Sequence, residues 1–284
     1  MKSAAEFHQD MVTYWGGPGG ARWVDESART EIMLSRVADL LYAAAKPQPG
    51  ETVLDVGCGL GPTTIALARR VAPNGRAVGL DVSNQMIGLA RQRAAGIANI
   101  EFIADDAVRH PFAAPFADLL FSRFGVMFFG DPTAAFTNLR RAVKPKGRVT
   151  FACWRKLSEN PWMLTPLMAA YEHLPRLPSA APEEPGPFSF ADQTRVTRIL
   201  TEAGFAAPAF TPAELAFDVA GGAGMDAAVH QTMTIGAASR ALQDQPDTVR
   251  AAVAQSIRTA LAPYAKGQSV ELPGAIWIVE STPI

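Results

Sequence analysis

The chain has 284 residues, of which 48% are hydrophobic and 19% charged, and its formal net charge of -1 leaves no basic surplus for a nucleic-acid partner. Its two cysteines have no CxxC or Cys/His spacing, so neither a disulfide framework nor a metal site is expected. The chain shows no apolar segment of signal-peptide type and no apolar run of about 18 residues, so we expect a cytoplasmic protein with no membrane partner.

The predicted elements fall into three successive parts, and the first two contain the clearest patterns. Residues 1–45 are expected to form an N-terminal helical cap, which ends at the Pro/Gly-rich break of residues 47–50. Residues 46–154 alternate apolar strands with helices, which predicts βαβ units and a parallel sheet covered on both faces. The predicted strands are 52–56, 76–81, 100–104, 116–122 and 148–154, and the predicted helices are 61–72, 84–95 and 132–143.

The third part, residues 155–284, has a less regular pattern. Five prolines predict an exposed loop over residues 175–187. The elements predicted after it are a helix at 193–203, strands at 208–219 and 270–279, and helices at 225–242 and 247–262 between those two strands. We expect this part to complete the sheet and its helical insert, at about 225–262, to act as a lid.

The strongest signal is the sequence Asp55-Val56-Gly57-Cys58-Gly59-Leu60-Gly61, which ends the first predicted strand of the sheet and opens a helix. Glycines let such a turn approach a ligand closely at the carboxyl end of the strand, although Gly57 or Gly59 could instead serve only helix–strand packing. Nicotinamide sites typically have GxGxxG spacing, whereas here the spacing is GxGxG, and Asp55 would repel a pyrophosphate. The loop therefore favours a ligand with a cationic amino group and no phosphate, such as S-adenosylmethionine (SAM).

Acidic residues follow the next two predicted strands. Asp81 ends the second strand, where a carboxylate can accept hydrogen bonds from both hydroxyls of a ribose. This does not separate SAM from a nicotinamide cofactor, and Asp81 could instead cap the following helix. Asp105 and Asp106 come after the third strand, where a carboxylate and a backbone amide can read an adenine edge. Their spacing from Pro111-Phe112 favours Asp106 as the adenine contact and Asp105 as a solvated neighbour.

Together these motifs resemble those of class I SAM-dependent methyltransferases of the ubiquinone/menaquinone-biosynthesis-like group (methyltransferase type 11). The glycine loop is similar to their D-x-G-x-G-x-G motif, Asp81 to their ribose acid, and Asp106-Ala107 to their adenine-reading pair. Phe116-Ala117-Asp118 resembles the fourth-strand motif, with Ala117 in place of the usual Phe. The resemblance covers roughly residues 45–155.

A further segment, residues 141–147, resembles the family's R-x-L-x-P-G-G turn, with Val143 in place of Leu and Lys146 in place of the first Gly. The resemblance implies a Rossmann-like, doubly wound α/β fold with a mostly parallel sheet of seven strands. It also implies SAM as the cofactor and S-adenosylhomocysteine as its product. The cofactor contacts that we predict are Asp55, Gly57, Cys58, Gly59, Gly61, Asp81, Val82, Met86, Asp106, Ala107, Ser122 and Arg123.

The predicted methyl acceptor is a small organic molecule, because the [N/D]PPY motif of amino-methylating enzymes is absent after the fourth predicted strand. Aromatic and methionine side chains in segments outside the core suit a flat or apolar acceptor, although each of them could instead belong to the core. Arg123 could hold the SAM carboxylate or an acidic acceptor, or could pair structurally. The predicted pocket residues are Tyr14, Trp15, Trp23, Phe124, Met127, Trp154 and Trp162.

No motif identifies a catalytic residue, because methyl transfer is an in-line displacement that depends largely on positioning. His8 and His230, which lie in the predicted cap and lid, are the candidates for a general base. The same cofactor loop would suit a SAM-binding enzyme with other chemistry, or a non-catalytic SAM-binding protein, so both alternatives stay open. The sequence is compatible with a monomer or a homodimer.

Overall fold

The computed structural model describes residues 2–178, 181 and 183–284, so Pro182 of the predicted proline-rich loop lies outside the described residues. Four consecutive helices form the cap: α1 (Ala4–Gly16), α2 (Pro18–Asp25), α3 (Ser27–Met33) and α4 (Ser35–Ala45). A capping box begins α1, because the Ser3 hydroxyl accepts from the Glu6 N–H while the Glu6 carboxylate accepts from the Ser3 backbone. The predicted N-terminal cap is therefore helical, as expected.

The next region alternates strands and helices, as predicted. In chain order these are β1 (Thr52–Val56), α5 (Pro62–Val71), β2 (Arg76–Asp81), α6 (Asn84–Arg93), β3 (Ile100–Ala104), β4 (Ala117–Arg123), α7 (Pro132–Ala142) and β5 (Val143–Trp154). The Asp131 carboxylate caps α7 by accepting from the Ala134 N–H, and Pro132 fits its first turn. β5 begins earlier than predicted. Residues 144–147 belong to it as an irregularity within the strand, between the residue that pairs with Ala117 and the residue that pairs with Leu119.

The last part of the chain contains five further helices and three strands. They are α8 (Pro161–Ala170), α9 (Gln193–Glu202), β6 (Ala209–Asp218), α10 (Gly224–Thr234), α11 (Ala237–Ala241), α12 (Asp247–Leu261), β7 (Ala265–Lys266) and β8 (Ser269–Ser281). Helices α10 to α12 form the predicted helical insert, which we refer to as the lid. The single helix predicted at 225–242 is wrong, because Gly236 has a φ of +101° and separates α10 from α11.

The strands form one sheet in the order β3-β2-β1-β4-β5-β8-β6, and the short β7 pairs with β8. The first five strands of this order run parallel, whereas β8 is antiparallel to both of its neighbours. This confirms the predicted Rossmann-like fold with a mostly parallel seven-stranded sheet, to which β7 adds a two-residue eighth strand. The chain order reverses between β1 and β4, and ligands of such sheets bind in the crevice at this point.

Apolar side chains hold the central strands in place. Leu54, Leu119 and Phe121 are fully buried, and the Phe121 ring stacks on Tyr42 of α4 at 5.5 Å. Burial of each such side chain contributes about 1.5–3 kcal/mol to folding. The cap is therefore anchored to the sheet by its last helix. Within the described residues, no helix has the length and apolar character that crossing a bilayer requires.

Helix α8 was not predicted from the sequence, and one buried side chain fixes it to the sheet. Asn160 is fully buried, and its Nδ2 donates to the carbonyl oxygens of Arg155 (3.2 Å), Lys156 (3.0 Å) and Ala275 (3.2 Å). Its Oδ1 accepts from the Ala275 N–H at 3.0 Å. Asn160 thus links β8 to the turn from which α8 begins.

Replacing Asn160 by Ala should lower the free energy of unfolding by about 3 kcal/mol, because it leaves buried backbone groups without partners. Urea denaturation measures this change. The neighbouring exposed Ser158 provides the control, since Ser158→Ala should change stability by less than about 0.5 kcal/mol. Equal stabilities for the two variants would contradict the role of Asn160.

Candidate active site

A cavity of about 1340 Å³ lies over the carboxyl ends of β1, β2 and β4 and is lined by residues of the cap, α8, the 185–192 segment and the lid. Cavities for a single drug-sized ligand typically measure about 300–1,000 Å³. The space is therefore sufficient for two small molecules side by side. Nine of the twelve predicted cofactor residues line it: Gly57, Cys58, Gly59, Asp81, Val82, Met86, Asp106, Ala107 and Arg123.

The glycine loop forms one wall of the cavity. Gly57 and Gly59 have φ values of +67° and +54°, in the left-handed region that glycine tolerates best. A Cβ on Gly57 would lie 2.6 Å from the Cα of Gly125, so the loops after β1 and β4 touch through their backbones. Gly61 has a different role: it does not line the cavity, and a Cβ there would meet the Phe102 ring at 2.7 Å. The third glycine serves helix–strand packing.

Asp55 lies beneath the loop and does not line the cavity, so the prediction of a direct ligand contact is not reproduced. It is fully buried, and its Oδ2 accepts from the hydroxyls of Thr63 (2.7 Å) and Thr64 (2.6 Å). Its Oδ1 is buried without a hydrogen-bond partner among the described residues. Burial raises the pKa of this carboxyl to about 6, against the effect of the two threonine hydrogen bonds.

Asp81 connects the glycine loop to the end of β2. Its Oδ2 accepts from the Gly59 N–H at 2.8 Å, and its Oδ1 accepts from the Ser83 N–H at 2.9 Å. Ser83, not Asp81, is the N-cap of α6, because its hydroxyl accepts from the Met86 N–H. Burial raises the pKa of the Asp81 carboxyl. Asp81 therefore holds the loop from inside the cavity, where it also faces any ligand.

The acids after β3 are each bound to a histidine. Asp106 Oδ2 lies 2.8 Å from His8 Nε2 of α1, and its Oδ1 accepts from the Val108 N–H. Asp105 Oδ2 lies 2.8 Å from His110 Nδ1, and this hydrogen bond holds the pKa of Asp105 below its usual range. The cap is thus attached directly to the predicted adenine-reading residue, a contact that the sequence did not indicate.

The two residues that end β4 differ in role. Ser122 is fully buried outside the cavity lining, and its hydroxyl accepts from the Gly125 N–H at 3.2 Å, so it shapes the loop instead of facing a ligand. Arg123 lines the cavity, and burial lowers the pKa of its guanidinium, against the effect of nearby Tyr42 and Asp55. Among the described residues, Arg123 has no ion-pair partner within 4 Å.

The predicted acceptor residues all line the cavity: Tyr14, Trp15, Trp23, Phe124, Met127, Trp154 and Trp162. Phe124 stacks on Trp154 with a centroid distance of 4.1 Å and an interplanar angle of 5°. Its φ of +66° is unusual for an aromatic residue and indicates a backbone held by its surroundings. Trp15 contacts Trp23 and Phe128 edge-on, at 6.0 and 4.9 Å. Two aromatic clusters therefore form the walls beyond the glycine loop.

The two histidine candidates are separated by the structure. His8 lines the cavity but is bound to Asp106, whereas His230 does not line it. His230 Nε2 lies 2.7 Å from Glu26 Oε1 of the α2–α3 junction, and its side chain is 61% exposed. The proposal of His230 as a general base is therefore not supported by its position. Beside it, Gln231 donates to the Thr30 hydroxyl at 3.1 Å, so the lid and the cap are joined by two hydrogen bonds.

Sequence reasoning missed the part of the wall that α8 and the 185–192 segment supply. Leu164, Leu167 and Met168 of α8 line the cavity, as do Lys156 and Arg176. The helix is apolar on most sides and contains Pro166, so it lacks the amphipathic period by which sequence patterns reveal helices. Within the described residues, no group of three or more His, Cys, Asp or Glu side chains is placed to hold a metal ion.

A family model described as a methyltransferase domain matches residues 47–204, which is more than half of the chain. The chain is similar to the demethylmenaquinone methyltransferase of Staphylococcus aureus, with 34% identity over 100 residues, 35% of this chain and 42% of that protein. It is also similar to an uncharacterized 37.1 kDa protein in transposon TN4556 of Streptomyces fradiae, with 30% identity over 132 residues, 46% of this chain and 38% of that protein. The matches thus span about two fifths of the length of these relatives.

Among solved structures, the YcgJ protein of Bacillus subtilis has a similar fold, with a TM-score of 0.58 and 16% sequence identity over 88% of this chain and 98% of that one. At this identity the likeness concerns the fold alone. The structural similarity covers 88% of the chain and therefore extends beyond residues 47–204, which the family model matches.

Replacing Asp55 by Asn should change how the stability of the protein depends on pH. Because the folded state has the higher pKa, it binds the Asp55 proton more tightly than the unfolded chain, whose carboxyl titrates at about pH 4. This contribution to stability is present below about pH 4 and is lost as the pH rises through about 6. Asn does not titrate, and its amide oxygen can still accept from both threonines.

We therefore expect the unfolding free energy of Asp55→Asn relative to the wild type to be about 1–3 kcal/mol higher at pH 8 than at pH 4, in urea denaturation. Asp39 is exposed, and Asp39→Asn should change stability by less than about 0.5 kcal/mol at either pH. The same difference between Asp55→Asn and the wild type at both pH values would refute the assignment of a buried charge.

Replacing Gly57 by Ala tests the contact between the two loops. The variant should lose about 3 kcal/mol or more, because left-handed strain adds to the clash with Gly125. Gly96 is the matched control: its φ is +87° and no atom lies within 4 Å of the place that a Cβ would occupy, so Gly96→Ala should cost only about 1 kcal/mol. Equal losses in urea denaturation would show that strain alone acts at both positions.

Proposed function

We propose that this chain, which belongs to the methyltransferase domain family and is a class I SAM-dependent methyltransferase, transfers the methyl group of SAM to a small organic acceptor bound in the same cavity. The observation that carries the proposal is the glycine loop at the sheet crevice. The loop lines the cavity, and Asp81 fixes its position by accepting a hydrogen bond from the Gly59 N–H. Family membership favours methyl transfer over the other chemistries that a SAM-binding loop could support.

The residues of the loop fit the cofactor. Gly57 and Gly59 line the cavity without side chains, so the backbone of the loop can lie against a ligand. Arg123 also lines the cavity and has no ion-pair partner within 4 Å among the described residues, so its guanidinium suits the carboxylate of an amino acid. Asp55 lies buried beneath the loop, outside the cavity, and acts on Arg123 electrostatically.

We assign the adenosine moiety to the far side of the loop. Asp81 retains free lone pairs for ribose hydroxyls, because each of its oxygens accepts one backbone hydrogen bond. Asp106 and the backbone at Ala107 would read the adenine, with Val82 and Met86 against its face. Asp55, Gly61 and Ser122 support this site from outside the cavity. His8 positions Asp106 through its hydrogen bond.

The acceptor would occupy the remaining space, between the two aromatic clusters. When bound, SAM supplies an electrophilic methyl group on a sulfonium, and the acceptor's nucleophilic atom forms the new bond as the bond to sulfur breaks. The protein's contribution is to align the acceptor and exclude water. The exposed fractions of Phe124 and Trp154 are only 7% and 5%, so apolar groups shield this part of the cavity from water. The acceptor's proton, where it has one, leaves to solvent or to a neighbouring acceptor group.

Calorimetric titration with S-adenosylhomocysteine tests the cofactor site. We expect binding in the roughly micromolar range, with no binding of NADH as the control ligand. Asp81→Asn should weaken binding about tenfold or more, because it exchanges an acceptor of the ribose hydroxyls for a donor. The exposed Glu101 at the neighbouring strand provides the control, and Glu101→Gln should leave the affinity unchanged.

Binding of NADH but not of S-adenosylhomocysteine would reject the proposed site. Equal affinities for the wild type and the Asp81 variant would reject the role of Asp81, provided that circular dichroism shows both proteins folded. Protein freed of any co-purified ligand by unfolding and refolding must be used, since a carried-over cofactor would mask binding.

A further inference from the structure

The charged residues of the cavity are unevenly distributed by sign, although Arg22 and Arg123 line it outside the part described below as rich in cations. On the side of the β2 and β3 ends, Asp81, Asp105 and Asp106 line it. The other side of the cavity is formed by residues from 154 onward, and there five cations and three acids line it. The cations are Lys156, Arg176, Arg195, Arg198 and Arg240, and the acids are Glu183, Glu184 and Asp192. We define this second side as the acceptor half. Its described cations outnumber its described acids, in contrast to the half that holds the proposed cofactor site.

The acids of the acceptor half are already engaged. Glu183 lies 3.3 Å from both Arg195 and Arg198, and Glu184 lies 3.3 Å from Arg240. Asp192 caps α9 by accepting from the Thr194 N–H. The negative charges of Glu183 and Glu184 are thus offset by arginines of the same half, and the Asp192 carboxylate is held by a backbone hydrogen bond.

Two cations are left over. Lys156 and Arg176 are exposed on the cavity wall, and neither has a carboxylate within 4 Å among the described residues. The Arg176 guanidinium lies over the Tyr171 ring at 5.9 Å, a contact that leaves its positive charge uncompensated. An open cavity wall with an unpaired positive charge attracts anions.

The same half is also unusually apolar for a surface. Five large hydrophobic side chains are exposed among the described residues. Two of them, Met168 and Leu177, line the acceptor half, and a third, Tyr14 of α1, lines another part of the cavity. Exposed apolar side chains that cluster in a concavity mark a binding site, whereas scattered ones do not. Met168 is 44% exposed although it belongs to a helix that is otherwise packed against the lid.

We infer that the acceptor is an apolar molecule that bears an anionic group, such as a carboxylate or sulfonate, and that Lys156 and Arg176 bind this group. The inference rests on the proposed function, because it concerns the acceptor half of that site. The apolar body would lie against Met168 and Leu177 of the acceptor half. At the opposite end of the cavity Asp81, Asp105 and Asp106 disfavour an anion, and the carboxylate of SAM would occupy Arg123. Charge therefore favours binding of the acceptor's anionic group in the acceptor half.

Two probes that share one ring system test this inference. 8-Anilinonaphthalene-1-sulfonate is apolar with one negative charge, and N-phenyl-1-naphthylamine is the same skeleton without the sulfonate. Fluorescence titrations with each probe, with and without saturating S-adenosylhomocysteine, give the preference for the anion as a ratio of dissociation constants. We expect a preference of about fivefold or more for the sulfonate, which declines as NaCl is raised.

The double variant Lys156→Gln/Arg176→Gln should reduce this preference to about twofold or less without changing the affinity for the neutral probe. The control double variant Lys146→Gln/Arg36→Gln removes the same charge from exposed residues outside the cavity, and should retain the preference. Met168→Gln should weaken both probes about equally, because it removes apolar contact and leaves the charges in place.

The inference is overturned if the two probes bind equally, if the preference survives in the Lys156/Arg176 variant, or if S-adenosylhomocysteine displaces the sulfonate probe. Failure of the proposed function is distinguishable from failure of the inference. Absence of S-adenosylhomocysteine binding in the calorimetric titration would reject the cofactor site, whereas the anion preference is also measured without that ligand.

Discussion

The contact between Gly57 and Gly125 is the constraint on which the arrangement of the site depends. These two backbones approach so closely that a single methyl group would not fit between them. Because β1 and β4 are the strands at which the chain order reverses, their loops must diverge to opposite sides of the crevice. The glycine loop turns toward β2, and the Phe124 segment turns toward β5. A boundary between a cofactor side and an acceptor side follows directly from this contact.

The cap closes the cofactor side through specific contacts instead of general apolar packing. His8 reaches Asp106, and the backbone of α1 lies so close to Gly130 that a Cβ there would overlap it at 2.2 Å. A cap so attached cannot shift without breaking a hydrogen bond that is largely shielded from water. The cap therefore supplies both a wall of the cavity and a partner for one of its acids.

Much of the fold could be predicted from the sequence, because its signals are local. The alternation of apolar strands and helices, Asp131 before Pro132, and the glycines between β1 and α5 each report on neighbouring residues in the chain. The cofactor-loop residues were recognisable for the same reason. What the sequence did not indicate depends on residues far apart: α8 is fixed by Asn160 across more than a hundred residues, and its apolar composition hides its helical period.

The same distinction applies to individual site residues. Asp55, Gly61 and Ser122 are among the predicted cofactor contacts, yet they do not line the cavity. Hydrogen bonds of Asp55 and Ser122, and the absence of a side chain at Gly61, instead stabilise the loops around the cavity. A motif specifies that a residue type is needed at a position, but two adjacent residues of a strand point to opposite faces of the sheet. Val56 and Arg123 accordingly line the cavity, whereas their neighbours Asp55 and Ser122 do not.

The hydrogen bonds between cap and lid, Glu26 to His230 and Thr30 to Gln231, have a consequence for the movement of the lid. Because they join the two covers of the cavity, the lid cannot move away from the cap without breaking both of them. The buried Oε1 of Gln231 has no partner among the described residues, which makes the closed arrangement less favourable than these two hydrogen bonds suggest. Separation of the lid from the cap would therefore cost less than the loss of two fully satisfied hydrogen bonds.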